Sequence, residues 1–247
     1  MSSAVAAAFY FDCELAANPE PFAALVESLT PVGHSYLQWH IDAENRKARP
    51  PSAFDLVRLL ARITSGETSV VGVETALRTR DAGALFIGVD TTPVAKCPER
   101  YTLTKCRYEA IVAIGAERFE GVDALINFAD SVAVRAGAIF VADTMEYARA
   151  FASGGSGPTL TAAENDRITD GLYWRPRWGE VIRGPAWGTF LGAHHVDKLG
   201  GMTRVERSGC ARVIALRSGG AYLQTTLAPT DAVPDALVRF LEPVRHP

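Results

Sequence analysis

The chain opens on an apolar run, Val5–Leu15, interrupted by Asp12 and Glu14, and its composition predicts a strand. Helical spacing follows. Asn18-Pro19 makes a turn, and Phe22, Leu25, Val26 and Leu29 recur three and four apart until Pro31 and Gly33 stop the pattern. In Ser35–Ile41, Tyr36, Gln38 and His40 alternate with Leu37, Trp39 and Ile41, the period of a half-buried strand. Asp42–Pro51 is a charged loop. Ser52 caps a helix over Ser52–Ser65 with Phe54, Leu56, Val57, Leu60 and Ile63 as its stripe and Gly66 just past its end.

SVVGVETAL and GALFIGVD then read as strands joined by the polar turn RTRDAG, and Tyr108–Gly115 as a further strand. The stretch Phe119–Gly137 is an amphipathic helix closed by Gly137, followed by a short buried strand, AIFVAD. Asp143 stands three residues before Glu146, the spacing of a helix capping box. Ser153–Gly171 is a long polar loop. VIALRSGGAYLQTTL predicts a hairpin turning at Gly219-Gly220, and PDALVRFLEPVRH a terminal helix.

Strands and helices intermix without strict alternation, and hairpins recur. The expected class is therefore α+β, with mixed, largely antiparallel sheets and flanking helices. A single domain over 1–247 accommodates all of this. A subdivision near 153–171 into two similar subdomains is the alternative, although no sequence repeat marks a duplication.

Composition narrows the class. Apolar residues make up 48% and charged residues 21% of the 247, as in a folded globular protein. A net charge of −3 argues against direct nucleic-acid binding, which calls for a basic face. The amino terminus lacks the basic stretch of a signal peptide, and no apolar run reaches the ~18 residues of a membrane span. Cys13, Cys97, Cys106 and Cys210 fit no zinc-binding or redox spacing, so reduced, mostly buried thiols in a cytoplasmic protein are expected.

Candidate chemistry is sparse. SGGSGPT lacks the lysine of a phosphate-binding loop, and neither a dinucleotide fingerprint nor a nucleophile elbow is present. His194 and His195 are adjacent, which on a helix turns them about 100° apart, a poor start for one metal; His195 with Asp197 is the remaining pairing. Asp12 and Glu14 would share one face of a strand, and Asp90 ends another. Together with His40 or His195 these acids define a metal-independent hydrolase as the enzymatic alternative. Asp143 reads as a helix cap. No cofactor is expected.

A different character marks GLYWRPRWGEVIRGPAW. Tyr173, Trp174, Trp178 and Trp187 lie there with Arg175, Arg177 and Arg183, residue types that dominate protein interfaces. Trp187, between small residues, reads as core; Trp174 or Trp178, beside arginines and Pro176, reads as exposed. In GAHHVDKLGG, Gly192 precedes a short helix, Val196 and Leu199 point inward, and Gly200-Gly201 ends it.

The carboxy-terminal quarter resembles a bacterial type VI secretion immunity family formerly catalogued as a domain of unknown function. The positions that carry the resemblance are Gly184, Trp187, Leu191, Val196, Leu199, Gly200 and Gly201, with Leu241, Pro243 and Arg245 in the closing helix. A second immunity family, paired with restriction-endonuclease-like toxins, has a similar tryptophan and Gly-Gly pattern. The resemblance implies a non-enzymatic antidote that binds a cognate effector toxin, a VRR-NUC-type nuclease, and blocks its active site or substrate groove. Such a blocker should present acids to a basic groove. The candidates outside the motif are Glu164, Asp166 and Asp170, next to Tyr173, Trp174, Arg175 and Trp178, and Asp42 and Glu44. No membrane partner is implied, and the oligomeric state is open.

Overall fold

A computed structural model describes residues 4–13, 18, 20–29, 37–41, 70–75, 85–90, 108–115, 119, 121–142, 180–182, 184–230 and 232–245. Among them, strands β1 (Ala4–Phe11), β2 (Leu37–Ile41), β3 (Val70–Thr75), β4 (Leu85–Asp90), β5 (Tyr108–Gly115), β6 (Ala136–Ala142), β7 (Gly188–Leu191), β8 (Arg212–Ala215) and β9 (Ala221–Gln224) form one sheet. Its order is β2-β3-β4-β5-β1-β6-β7-β9-β8, and each of these pairings is antiparallel. The helices are α1 (Glu20–Leu29), α2 (Asp123–Ser131), α3 (Ala193–Lys198), α4 (Met202–Glu206) and α5 (Asp235–Leu241), the last running into a 3-10 turn, Glu242–Val244. The class is α+β as expected, with one antiparallel sheet in place of mixed sheets.

The first apolar run becomes the middle of the sheet. β1 lies between β5 and β6, and all eight of its residues are buried. A strand covered on both faces has no reason to alternate polar with apolar, which explains the unbroken AVAAAFYF. Its bulk still alternates. Val5, Phe9 and Phe11 join a core with Phe22 and Leu25 of α1 and Leu125 and Phe128 of α2, which packs on α1. Ala8 and Tyr10 point into the other core, where Leu191, Val196, Leu199, Leu223, Leu237 and Leu241 collect.

Two expected boundaries move. The first strand ends at Phe11, so Asp12 lies beyond it; Glu14 is outside the described residues. The helix placed over Phe119–Gly137 spans only Asp123–Ser131. The chain then turns through Ala133, whose φ is 49°, and Val134 N–H closes the turn on the Ala129 carbonyl. Arg135 N–H donates to the Tyr10 carbonyl at 2.8 Å, and β6 has begun by Ala136. Gly137 is therefore a sheet residue: a Cβ there would sit 2.9 Å from the Ala8 carbonyl oxygen. At the end of the sheet order, β8 and β9 form the hairpin expected at Gly219-Gly220, with Leu216 N–H on the Gly220 carbonyl. The helices read at Ser52–Ser65 and after Asp143, and the loop Ser153–Gly171, lie outside the described residues.

Candidate functional site

Residues 184–201 form one connected unit at the β6–β7–β9 side of the sheet. Gly184 has φ 141° and precedes β7 by a few residues. Trp187 is buried in the α1–α2 core, edge-on to Phe119 at 6.1 Å, and its indole N–H donates to the Thr226 carbonyl at 2.9 Å. Its own carbonyl accepts from Thr225 N–H at 2.9 Å, which extends the β7–β9 ladder by one pair. Leu191, Val196 and Leu199 belong to the other core. The motif thus stitches the two cores together across β7.

The strand-to-helix turn is tight because backbones touch. Gly192 N–H donates to the Arg135 carbonyl at 3.0 Å, and a Cβ on Gly192 would come within 2.4 Å of that oxygen. Gly220 approaches the Leu191 carbonyl equally closely, at 2.3 Å for a Cβ. These are close-approach glycines of ordinary backbone conformation. Gly200 (φ 94°) and Gly201 (φ 91°) instead take left-handed backbone and close α3, with Gly201 N–H on the Val196 carbonyl.

His195 is fully buried in this unit. Its Nδ1 accepts from Gly192 N–H at 3.3 Å, while Nε2 lies 2.9 Å from the Glu180 carbonyl oxygen. A carbonyl can only accept, so Nε2 carries the proton and the ring is neutral. Burial, and then the adjacent His194, push its pKa down from 6.5 to about 3. The ring therefore acts as a two-ended clamp between the helix start and residue 180. Nearby, Ile182 N–H donates to the Val244 carbonyl at 3.0 Å, so the carboxy-terminal turn is tied to the same segment. Asp197, the other half of the considered metal pair, is exposed.

On β9, beside β7, lies a buried polar pair. Tyr222 packs on Phe190 at 4.8 Å and donates to Gln224 Oε1 at 3.3 Å; the Gln224 amide donates onward to the Thr226 carbonyl at 2.8 Å. Burial raises the Tyr222 phenol well above its ordinary pKa, so it stays protonated.

Among the described residues, the acids and histidines of the hydrolase alternative lie at separate positions along the sheet order, and Glu14 is outside them. Asp12 is ion-paired with Arg135 at 2.8 Å. His40 lies on β2, four strands from β1 in the sheet order, which is roughly 19 Å of lateral spacing. Asp90 ends β4, opposite Glu109 of β5, which stands opposite Tyr10 of β1. His195 lies in α3, whose start is tied to the Arg135 carbonyl through Gly192 N–H. Among the described residues no group of three or more His, Cys, Asp or Glu side chains could hold a metal ion. Glu164, Asp166, Asp170, Tyr173, Trp174, Arg175 and Trp178 lie outside the described residues, as do Asp42, Glu44, Asp143, Cys97 and Cys106. Cys13 and Cys210 are in no disulfide and are of intermediate exposure.

Sequence reasoning missed groups that organise this unit and the hairpin beside it: Arg135, the Glu180 carbonyl and the Asp130–Arg217 pair. Asp130 on α2 takes both the Arg217 backbone N–H at 2.7 Å and its Nε at 2.6 Å, fastening the β8–β9 hairpin to the helix layer. The partners are 87 residues apart, and no local pattern announces them. Among the described residues, no helix is long and apolar enough to cross a membrane.

No protein-family model matches the chain, and no curated protein matches it. A solved structure does. A protein of Pseudomonas aeruginosa described as a T6SS protein is similar over 98% of this chain and 73% of its own, with a TM-score of 0.60 at 16% sequence identity. At that identity the likeness is one of fold.

Proposed function

We propose that this chain is a cytoplasmic immunity protein that binds a cognate type VI secretion effector, a nuclease, and neutralises it by covering its active site or substrate groove. The observation that carries this reading is the fold likeness, over nearly the whole chain, to a protein described as belonging to that secretion system. The motif from Gly184 to Gly201 supports it in a second way. Its residues are spent on packing and clamping, as a rigid binding scaffold requires, and His195 is held neutral with both ring nitrogens engaged.

In this reading neutralisation is stoichiometric and needs no cofactor, metal or contact with nucleic acid. Glu164, Asp166 and Asp170 face the basic groove of the nuclease, with Asp42 and Glu44 as a second acidic set. Tyr173, Trp174, Arg175 and Trp178 supply the anchors, since aromatic and arginine side chains contribute most to interface affinity. Opposite charge speeds association and the packed anchors slow release.

The test is to mix the purified chain with the product of the adjacent toxin gene. A one-to-one complex and loss of nuclease activity are expected; an active toxin that forms no complex refutes the proposal. Reversing the three loop acids (Glu164→Lys, Asp166→Lys, Asp170→Lys) should slow association at least about tenfold at low salt and much less at high salt. An unchanged rate removes the loop from the interface.

A further inference from the structure

We propose that the outer edge of β8 is a self-association surface, which pairs antiparallel with β8 of a second copy and continues the sheet across a two-fold axis. β8 closes the sheet order, and among the described residues its only ladder partner is β9.

Two hydrogen bonds fix which groups the edge presents. Leu216 N–H donates to the Gly220 carbonyl, and Thr225 N–H to the Trp187 carbonyl. In an antiparallel ladder, hydrogen-bonded and non-bonded pairs alternate. The first bond makes Ile214–Tyr222 and Arg212–Gln224 bonded pairs of the hairpin. The second gives β9 residues 221 and 223 to β7, which agrees. The N–H and C=O groups of Val213 and Ala215 therefore point away from β9, toward the open side.

That edge is self-complementary. A two-fold axis through Ile214 sets Val213 opposite Ala215 of the copy and Ala215 opposite Val213, so all four outward groups on each strand are matched. Ile214 meets Ile214 in the non-bonded pair on the axis, where side chains lie closest. Val213 and Ile214 are half-buried and Ala215 is exposed, so the side chains that meet across the axis are apolar. Arg212 falls opposite Leu216, which keeps the two Arg212 side chains about 14 Å apart along the ladder, beyond the ~8–10 Å screening length. Each Arg212 is also held by its own Asp123 at 3.1 Å.

The devices that normally blunt an edge are weak here. RVIA contains no proline and no lysine, and its register with β9 runs without a bulge. Its shortness, four residues, limits the strength instead. The area is well below the ~800 Å² per partner of a stable interface, so the association is weak and concentration-dependent.

The experiment uses the whole chain alone, so its outcome is independent of toxin binding. Sedimentation velocity from about 5 to 500 μM should show the average mass rising toward a dimer. Ala215→Pro removes one outward N–H and no hairpin hydrogen bond, and should move the midpoint at least about tenfold higher. Ile214→Cys should form an interchain disulfide on mild oxidation, because its Cα atoms meet across a non-bonded pair within bridging range. Arg217→Cys, on a residue 83% exposed but far from the axis, should not, and neither should the parent chain. A parent chain that stays monomeric throughout, or an Ile214→Cys variant that cross-links no faster than Arg217→Cys, overturns the proposal. If Ala215→Pro loses its circular dichroism, the cysteine pair alone decides.

Discussion

His195 gives the most decisive test of how the carboxy-terminal unit is held. Its imidazole is buried and neutral, and its pKa is pushed down to about 3 by burial and by His194. In the unfolded chain it returns to about 6.5. The folded value is the lower one, so below pH 6.5 the unfolded state binds the extra proton. The stability this group contributes is fully present above that pH and is lost as pH falls toward the folded value. Between pH 7 and pH 5 the loss comes to about 2 kcal/mol, and it would change little if the folded pKa were 4, since neither value lets the folded ring protonate in that window.

The assay is urea unfolding at several pH values, followed by tryptophan fluorescence, on the parent and on His195→Gln. Glutamine three residues after the helix N-cap can still accept from Gly192 N–H, so the helix start survives. It gives up the Nε2–H bond to the Glu180 carbonyl and should be about 1–3 kcal/mol less stable at pH 7. It cannot protonate, so the parent's excess stability should shrink by about 2 kcal/mol on going to pH 5. Parallel pH profiles for the two proteins would refute the neutral clamp.

Other perturbations separate packing from surface effects. Gly192→Ala and Gly220→Ala each drive a Cβ to within 2.4 Å or less of a fixed carbonyl, and should cost more than about 2 kcal/mol or prevent folding; an unchanged urea midpoint would contradict the close approach. Phe190→Ala empties the contact between Phe9 and Tyr222 and should cost about 3–5 kcal/mol by the same measurement. Arg217→Ala removes a largely exposed partner of Asp130 but leaves its backbone N–H bond, so a loss under about 1 kcal/mol is expected. A larger loss would mean the hairpin depends on that ion pair.

Local pattern carried much of the fold. Tyr108–Gly115 is a strand residue for residue, because its apolar run is bounded on both sides. The hairpin at Gly219-Gly220 and the α3 stop at Gly200-Gly201 were legible because glycine marks turns and left-handed helix ends wherever they occur. The end of α2 was not. An amphipathic period runs on through Val134, yet the chain must reach β1 at Arg135, and that hydrogen bond to Tyr10 ended the helix early.

The sequence by itself determined which stretches are strands and helices, which side chains seek the core, and where backbone reversals fall, since those follow from periods of two and 3.6 residues and from glycine. Only the tertiary structure decided that β1 sits at the centre of one antiparallel sheet, and that Gly137, Gly192 and Gly220 are glycine because other backbones press against them. It also made His195 a clamp between the start of α3 and residue 180. Hydrogen bonds and desolvation depend on neighbours brought from 15 residues away at Glu180 and from across the sheet at Arg135, and no local spacing encodes them.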